Sequence, residues 1–216
     1  MGTVLTPIQE QEQDITTGQL VRLSGISLMI GGTLATGAWV LHAIVDPARG
    51  GYAEPWWIPL NLALSCGGIL MALGLPGFHA SQASRSGALG LIGLVLLFAG
   101  LLLAYVGVQT LEAFSRPQIP PTIGILAGIA APMFFLGIVI TSVATWRAGV
   151  YPRVIAVALA VTAMLGLLTR LVELPAWLGM NILAALFTAA MAWLGFLVIG
   201  ASIPAWNSKG SGRLEA

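Results

Sequence analysis

Six long apolar stretches, near residues 21–45, 57–78, 87–110, 122–146, 152–171 and 177–202, fill almost all of this chain. A hydrocarbon layer about 30 Å thick needs about 20 apolar residues of helix to cross it, and each stretch supplies that length. In lipid every backbone N–H must be satisfied within its own segment or in a closed barrel. The alternating pattern of a transmembrane barrel is absent. The expected fold is therefore all-α, a bundle of six transmembrane helices. Charged residues make up 8% of the chain, against about 25% in soluble domains.

Three regions follow. Residues 1–19 are a polar N-terminal segment carrying Glu10, Glu12 and Asp14; residues 20–204 are the transmembrane domain; residues 205–216 are a Gly/Ser-rich flexible tail. A cleaved signal needs a basic start and a short apolar core, so the first span is expected to be retained. One side of the spans holds Arg22, Arg85, Arg147, Arg153, Lys209 and Arg213. The other holds Arg49, Arg116 and Arg170, offset by Asp46, Glu54, Glu112 and Glu173. The positive-inside rule then puts both termini in the cytoplasm and leaves three outward hairpins. Trp56, Trp57 and Trp177 fall at the outer interface, Trp146 and Trp206 at the inner one, as aromatic belts do. The expected location is a bacterial inner membrane, crossed several times.

Small residues at helical spacing indicate close helix packing. Gly93, Gly100 and Gly107 recur every seventh residue, Gly124 and Gly128 form a GxxxG, and Gly31 and Ala35 form a small-xxx-small pair. Pro132 should kink the fourth span unless a neighbour repairs the lost hydrogen bond. A weak internal repeat joins Glu54-Pro55-Trp56-Trp57 with Asn61 to Glu173-Leu174-Pro175-Ala176-Trp177 with Asn181. Proline's preference for a first helical turn explains part of that likeness without ancestry.

Ionisable groups inside a membrane are expensive and therefore informative. The middle of these spans has essentially none, unlike proton-coupled pumps or voltage sensors. Polar residues gather in the outer quarter instead: His42, Asp46, Asn61, Gln109, Glu112, Arg170, Glu173 and Asn181, with Trp39 and Tyr105 nearby. Converging, His42, Asp46, Asn61, Glu112, Arg170, Glu173 and Asn181 would form an outward-facing pocket under Trp56 and Trp57. Scattered, they would only mark the water boundary, with Arg170 snorkelling and the asparagines bridging helices.

The usual chemical templates are missing. No paired intramembrane acids, nucleophile elbow, zinc-binding helix motif or phosphate loop occurs, so a non-enzymatic protein is expected. The lone Cys66 gives neither an intramolecular disulfide nor a cysteine-based metal site. The net charge of +1 offers no basic field for nucleic acid. His42 and His79 lie at opposite ends of their spans and cannot share one haem. No cofactor or metal is expected, and the residues from His79 to Arg85 read as a polar loop.

Three stretches carry a resemblance: Gly18-Gln19-Leu20-Val21-Arg22-Leu23-Ser24-Gly25 leading to His42 and Pro47; Pro59 to Gly68 running on to His79–Arg85; and Arg147-Ala148-Gly149-Val150-Tyr151-Pro152-Arg153. On these the chain resembles a loosely defined family of small, uncharacterised bacterial multi-pass membrane proteins. In helix number and length alone it is also similar to the substrate-binding subunits of vitamin uptake systems, whose pocket faces outward. Three roles are compatible with this pattern. The first is an accessory or structural subunit packed against a partner membrane protein, another copy or lipid. The second is an outward-facing protein that binds or takes up a small solute or lipid. The third is a haem- or pigment-binding subunit.

Overall fold

A computed structural model of the protein describes residues 7–49, 55–115, 120–171 and 181–202. Every described element is helical: α1 (Pro7–Arg49), α2 (Trp57–Leu101), a π-helical segment (Leu102–Val108), α3 (Gln109–Phe114), α4 (Pro121–Ala148), α5 (Arg153–Leu171) and α6 (Ile182–Ser202). Four helical stretches are long and apolar enough to cross a membrane: Gly18–Val45, Trp57–Phe114, Pro121–Ala148 and Ile182–Gly200. Arg153–Leu168 is a shorter apolar helix. These helices mark a membrane protein.

The stretch Trp57–Phe114 is not one straight rod. At Gly87 the backbone takes φ 57°, ψ −151°, and the chain turns back on itself. That region of backbone space is essentially closed to any residue with a Cβ. Contacts between the two arms show an antiparallel hairpin. Trp57 bonds to Glu112, Ser65 to Thr110, Gly68 packs on Tyr105 and Gly90 lies beside His79. The polar run His79–Arg85, expected as a loop, is helical and continues the first arm to the turn. A single glycine reverses the chain, so no loop residues are needed, and Gln82 and Ser86 turn inward to become buried. Gly87→Ala is expected to destabilise the protein by about 1–3 kcal/mol, the usual cost of a residue held in a disallowed region. Nothing lies within 4 Å of the position of the added Cβ, so the loss, read by thermal melting, reports backbone strain alone.

The elements form a closed ring. α1 packs on α6 and on the first arm of the hairpin; the second arm packs on α4, α4 on α5, and α5 on α6. Neighbours are antiparallel, so His42 and Trp57 mark one end of the bundle and Gly87, Ala148 and Arg153 the other. Lipid tails are as apolar as leucine, so the helices gain by close approach and by interhelical hydrogen bonds. A Cβ at Gly31 would stand 2.7 Å from the Gly67 carbonyl, and one at Gly32 would stand 2.6 Å from the Thr188 carbonyl. Between the helices, Thr36 and Thr188 share a hydrogen bond of 2.8 Å and Ser27 Oγ donates to the Leu70 carbonyl at 2.7 Å. Large apolar side chains such as Leu23, Leu73, Ile125 and Phe196 point outward, where a soluble protein would carry charge.

Local signals explain the junctions. Pro121 opens α4 at a position that needs no N–H donor, and Gly149, at φ 60°, closes it in the left-handed cap. α4 runs on through Pro132 as one helix. At the α4–α5 junction Tyr151 is buried, and its hydroxyl lies 2.6 Å from Ser81 Oγ. Burial raises the phenol pKa above its ordinary 10.0, an effect the Ser81 hydrogen bond only partly offsets. The raised value means the contribution of Tyr151 is complete below 10.0 and is lost as pH climbs through the folded-state value. Thermal melting at rising alkaline pH should therefore show a loss that Tyr151→Phe does not share.

The N-terminal segment expected as polar is helical from Pro7, so α1 starts well before its apolar run at Gly18.

Candidate functional site

At the His42 end, helical spacing aligns two stripes. Trp39 and His42, three apart, share a face of α1; Trp57, Asn61 and Ser65, four apart, share a face of α2. The π segment and α3 complete the group with Tyr105, Gln109, Thr110 and Glu112. His42 is buried, with its ring 5.2 Å edge-on from Trp57 and 5.8 Å from Trp39. Trp57 Nε1 donates to the Glu112 carbonyl at 3.0 Å, and Trp39 Nε1 donates to Tyr105 Oη at 3.3 Å. Asn61 is fully buried and donates through Nδ2 to the Trp57 carbonyl at 2.9 Å. Its Oδ1 has no hydrogen-bond partner among the described residues. Ser65 Oγ bridges the Asn61 carbonyl and Thr110 Oγ1, both at 3.0 Å.

Of the residues expected to converge, His42, Trp57, Asn61 and Glu112 are together. Trp56 opens the hairpin but is 57% exposed and stands outside the cluster. Asn181 is buried at the start of α6. Glu173 lies outside the described residues, and Asp46 and Arg170 are placed only as backbone positions near the ends of α1 and α5. Among the packing glycines, Gly93 meets the Thr141 backbone and Gly100 the Phe134 backbone, while Gly107 faces only the tip of Leu126. Gly124 and Gly128 have nothing within 4 Å of where a Cβ would stand.

Deeper than the polar cluster, and sharing Trp39 and Tyr105 with it, is a cavity of about 160 Å³. Aromatic rings form part of its walls: Tyr105 to Phe134 at 6.2 Å between centroids, and Phe134 to Phe187 at 4.8 Å, edge to face. The space arises because small residues face inward at one level, Ala104 on the π segment, Ala127 and Ala131 on α4, Gly166 on α5 and Ala184 on α6. The π turn is part of this wall, and such single wide turns recur at functional sites. Polar handles are few: Gln109, Thr162 and the Trp39–Tyr105 pair. A cavity of this size and lining suits one apolar ring or a branched chain, as a cavity of about 150 Å³ elsewhere holds benzene. Ala127, Ala131 and Phe135 also line a second space, a groove of about 780 Å³ between α4 and α5. The cavity and the groove therefore adjoin at these three residues.

No group of His, Cys, Asp or Glu among the described residues is placed to hold a metal ion. Sequence reasoning singled out Trp39 and Tyr105 but not Phe134, Phe187 or the ring of small residues. Alanine and glycine on a membrane helix read as packing positions, and spacing does not tell a residue that admits a backbone from one that leaves room. No family model, curated protein or solved structure matches the chain.

Proposed function

We propose that this is a six-span protein of a bacterial inner membrane that binds a small apolar or amphipathic molecule in the aromatic cavity. The six crossings count the two arms on either side of Gly87 and the shorter α5. The termini are cytoplasmic in this reading, because Arg22, Arg85, Arg147 and Arg153 all fall at the Gly87 end. There the Arg153 guanidinium lies 5.3 Å from the Trp146 ring, a pairing suited to the headgroup level. The observation that carries the reading is the cavity itself, apolar inside and joined to the His42–Trp57–Asn61 cluster through Trp39 and Tyr105. The ligand's ring or branch fills the space between Tyr105, Phe134 and Phe187, and a longer tail follows the α4–α5 groove into the lipid. A haem macrocycle is far larger than the cavity, which places a haem role behind this one.

A second reading, an accessory subunit on a partner membrane protein, is favoured by the extension of α1 as helix from Pro7 beyond its apolar run. Native mass spectrometry of the protein gently extracted from its own membrane separates the two. A lone chain carrying one hydrophobic mass supports the binding role; a stoichiometric larger complex supports the accessory role. A bare, partner-free chain counts against both.

A further inference from the structure

At the other end of the bundle, close to the Gly87 turn, three buried polar atoms have no hydrogen-bond partner among the described residues. Gln82 is 2% exposed, Thr141 5% and Ser86 8%. Gln82 Oε1, Ser86 Oγ and Thr141 Oγ1 have no hydrogen-bond partner among the described residues. Gln82 Nε2 is held by Thr145 Oγ1 at 3.3 Å, which fixes the side chain and leaves Oε1 as the unmet acceptor. Gln82 and Thr141 line one small cavity of about 10 Å³, with Gly90 as another part of its wall. Ser86 Oγ lies against Gly90, and Thr141 Oγ1 lies against Gly93 one turn on.

A buried polar atom with no partner is costly, and three near one helix reversal would be unusual in a stable bundle. A water molecule needs a space of about one probe sphere, roughly 10–15 Å³, and two to four polar partners. This place offers both. We infer that it is a binding site for one ordered water, held by Gln82 Oε1, Ser86 Oγ and Thr141 Oγ1. The water donates to the amide oxygen and exchanges hydrogen bonds with the two hydroxyls. Gln82 and Ser86 sit on the first arm and Thr141 on α4, while the second arm supplies the glycine wall. One molecule thereby ties three helical segments where the hairpin reverses. A monovalent cation fits less well: the unmet oxygens are three neutral groups, and the half-buried His79 lines the same space. His79 is the titratable side chain in that lining; neighbouring Arg85 is exposed.

The sign of a stability change decides the matter. Thr141→Val keeps the side chain's shape and removes one partner. If water is bound, Thr141→Val and Ser86→Ala each lower the melting temperature of the full chain in nanodiscs by a few degrees. The triple variant with Gln82→Leu then recovers much of the loss, because no polar group is left to satisfy. If the site is dry, each single change removes an unmet polar group and raises the melting temperature, which overturns the proposal. Melting in sodium, potassium and choline chlorides adds the third arm. Equal values support water, whereas stabilisation by one alkali ion that Thr141→Val abolishes overturns it in favour of a cation. A water-to-Gln82 side-chain cross-peak in NMR spectra of the wild type, lost in Thr141→Val, is the direct signature. Its absence in the wild type also overturns the inference.

Discussion

Gly137→Ala is expected to destabilise the bundle by about 3 kcal/mol or more, the upper range for forcing extra volume into a packed interior. Gly124→Ala on the same helix is expected to leave stability unchanged or raise it by up to about 1 kcal/mol. The two differ only in what faces them. A Cβ at Gly137 would stand 2.6 Å from Leu97 Cα and 2.8 Å from the Leu96 carbonyl carbon, both backbone atoms of the second arm. Backbone cannot swing aside as a side-chain tip can, so α4 and the hairpin must part along their contact. Separation also strains the neighbouring approach of Gly100 to Phe134. At Gly124 nothing lies within 4 Å, so an added methyl meets no protein atom and alanine's better helix propensity remains. Thermal melting of both variants in one lipid composition checks this. Equal losses would mean that the second arm does not lie against α4 as described.

That contrast shows what the sequence held and what it did not. Apolar length announced the helices, because crossing a hydrocarbon layer leaves the backbone no alternative. The GxxxG of Gly124 and Gly128 announced that two small residues share a face, but not that a neighbour meets that face. Which face meets which is settled by tertiary packing, and here the close approach on α4 falls at Gly137, outside the motif. The reversal between the spans 57–78 and 87–110 was expected, but its form, a helix running on to the single residue Gly87, was not. Polar residues before a glycine resemble a loop, yet Gln82 is buried against Thr145 and Ser86 against Gly90. At the His42 end, a common place near one end of the spans brought His42, Trp57, Asn61 and Glu112 within view, and helical spacing put Trp57 and Asn61 on one face of α2. The cavity beneath them left no mark in the sequence, because it consists of volume that five small side chains do not fill.

Ala184→Leu is expected to abolish ligand binding while the protein stays folded. Ala184 lines the cavity from α6, close to Phe187. Leucine replaces a methyl by an isobutyl group and so fills much of a space of about 160 Å³. The affinity for the co-purifying hydrophobic molecule should fall at least tenfold, about 1.4 kcal/mol. Filling a cavity does not carry the penalty of overpacking a full core, so the melting temperature of the ligand-free protein should hold or rise. Ala131→Leu, on the wall between cavity and groove, should act differently. It narrows the route and slows exchange with lipid more than it weakens equilibrium binding. Trp57→Ala supplies the contrast at the polar cluster: it removes the edge contact with His42 and the bond to the Glu112 carbonyl without filling the cavity. If Ala184→Leu binds as the wild type does while Trp57→Ala does not, the ligand sits in the polar cluster above the cavity. If all three variants retain the bound mass, the molecule lies on the outer surface of the bundle, and the cavity is only a consequence of small residues meeting at one level.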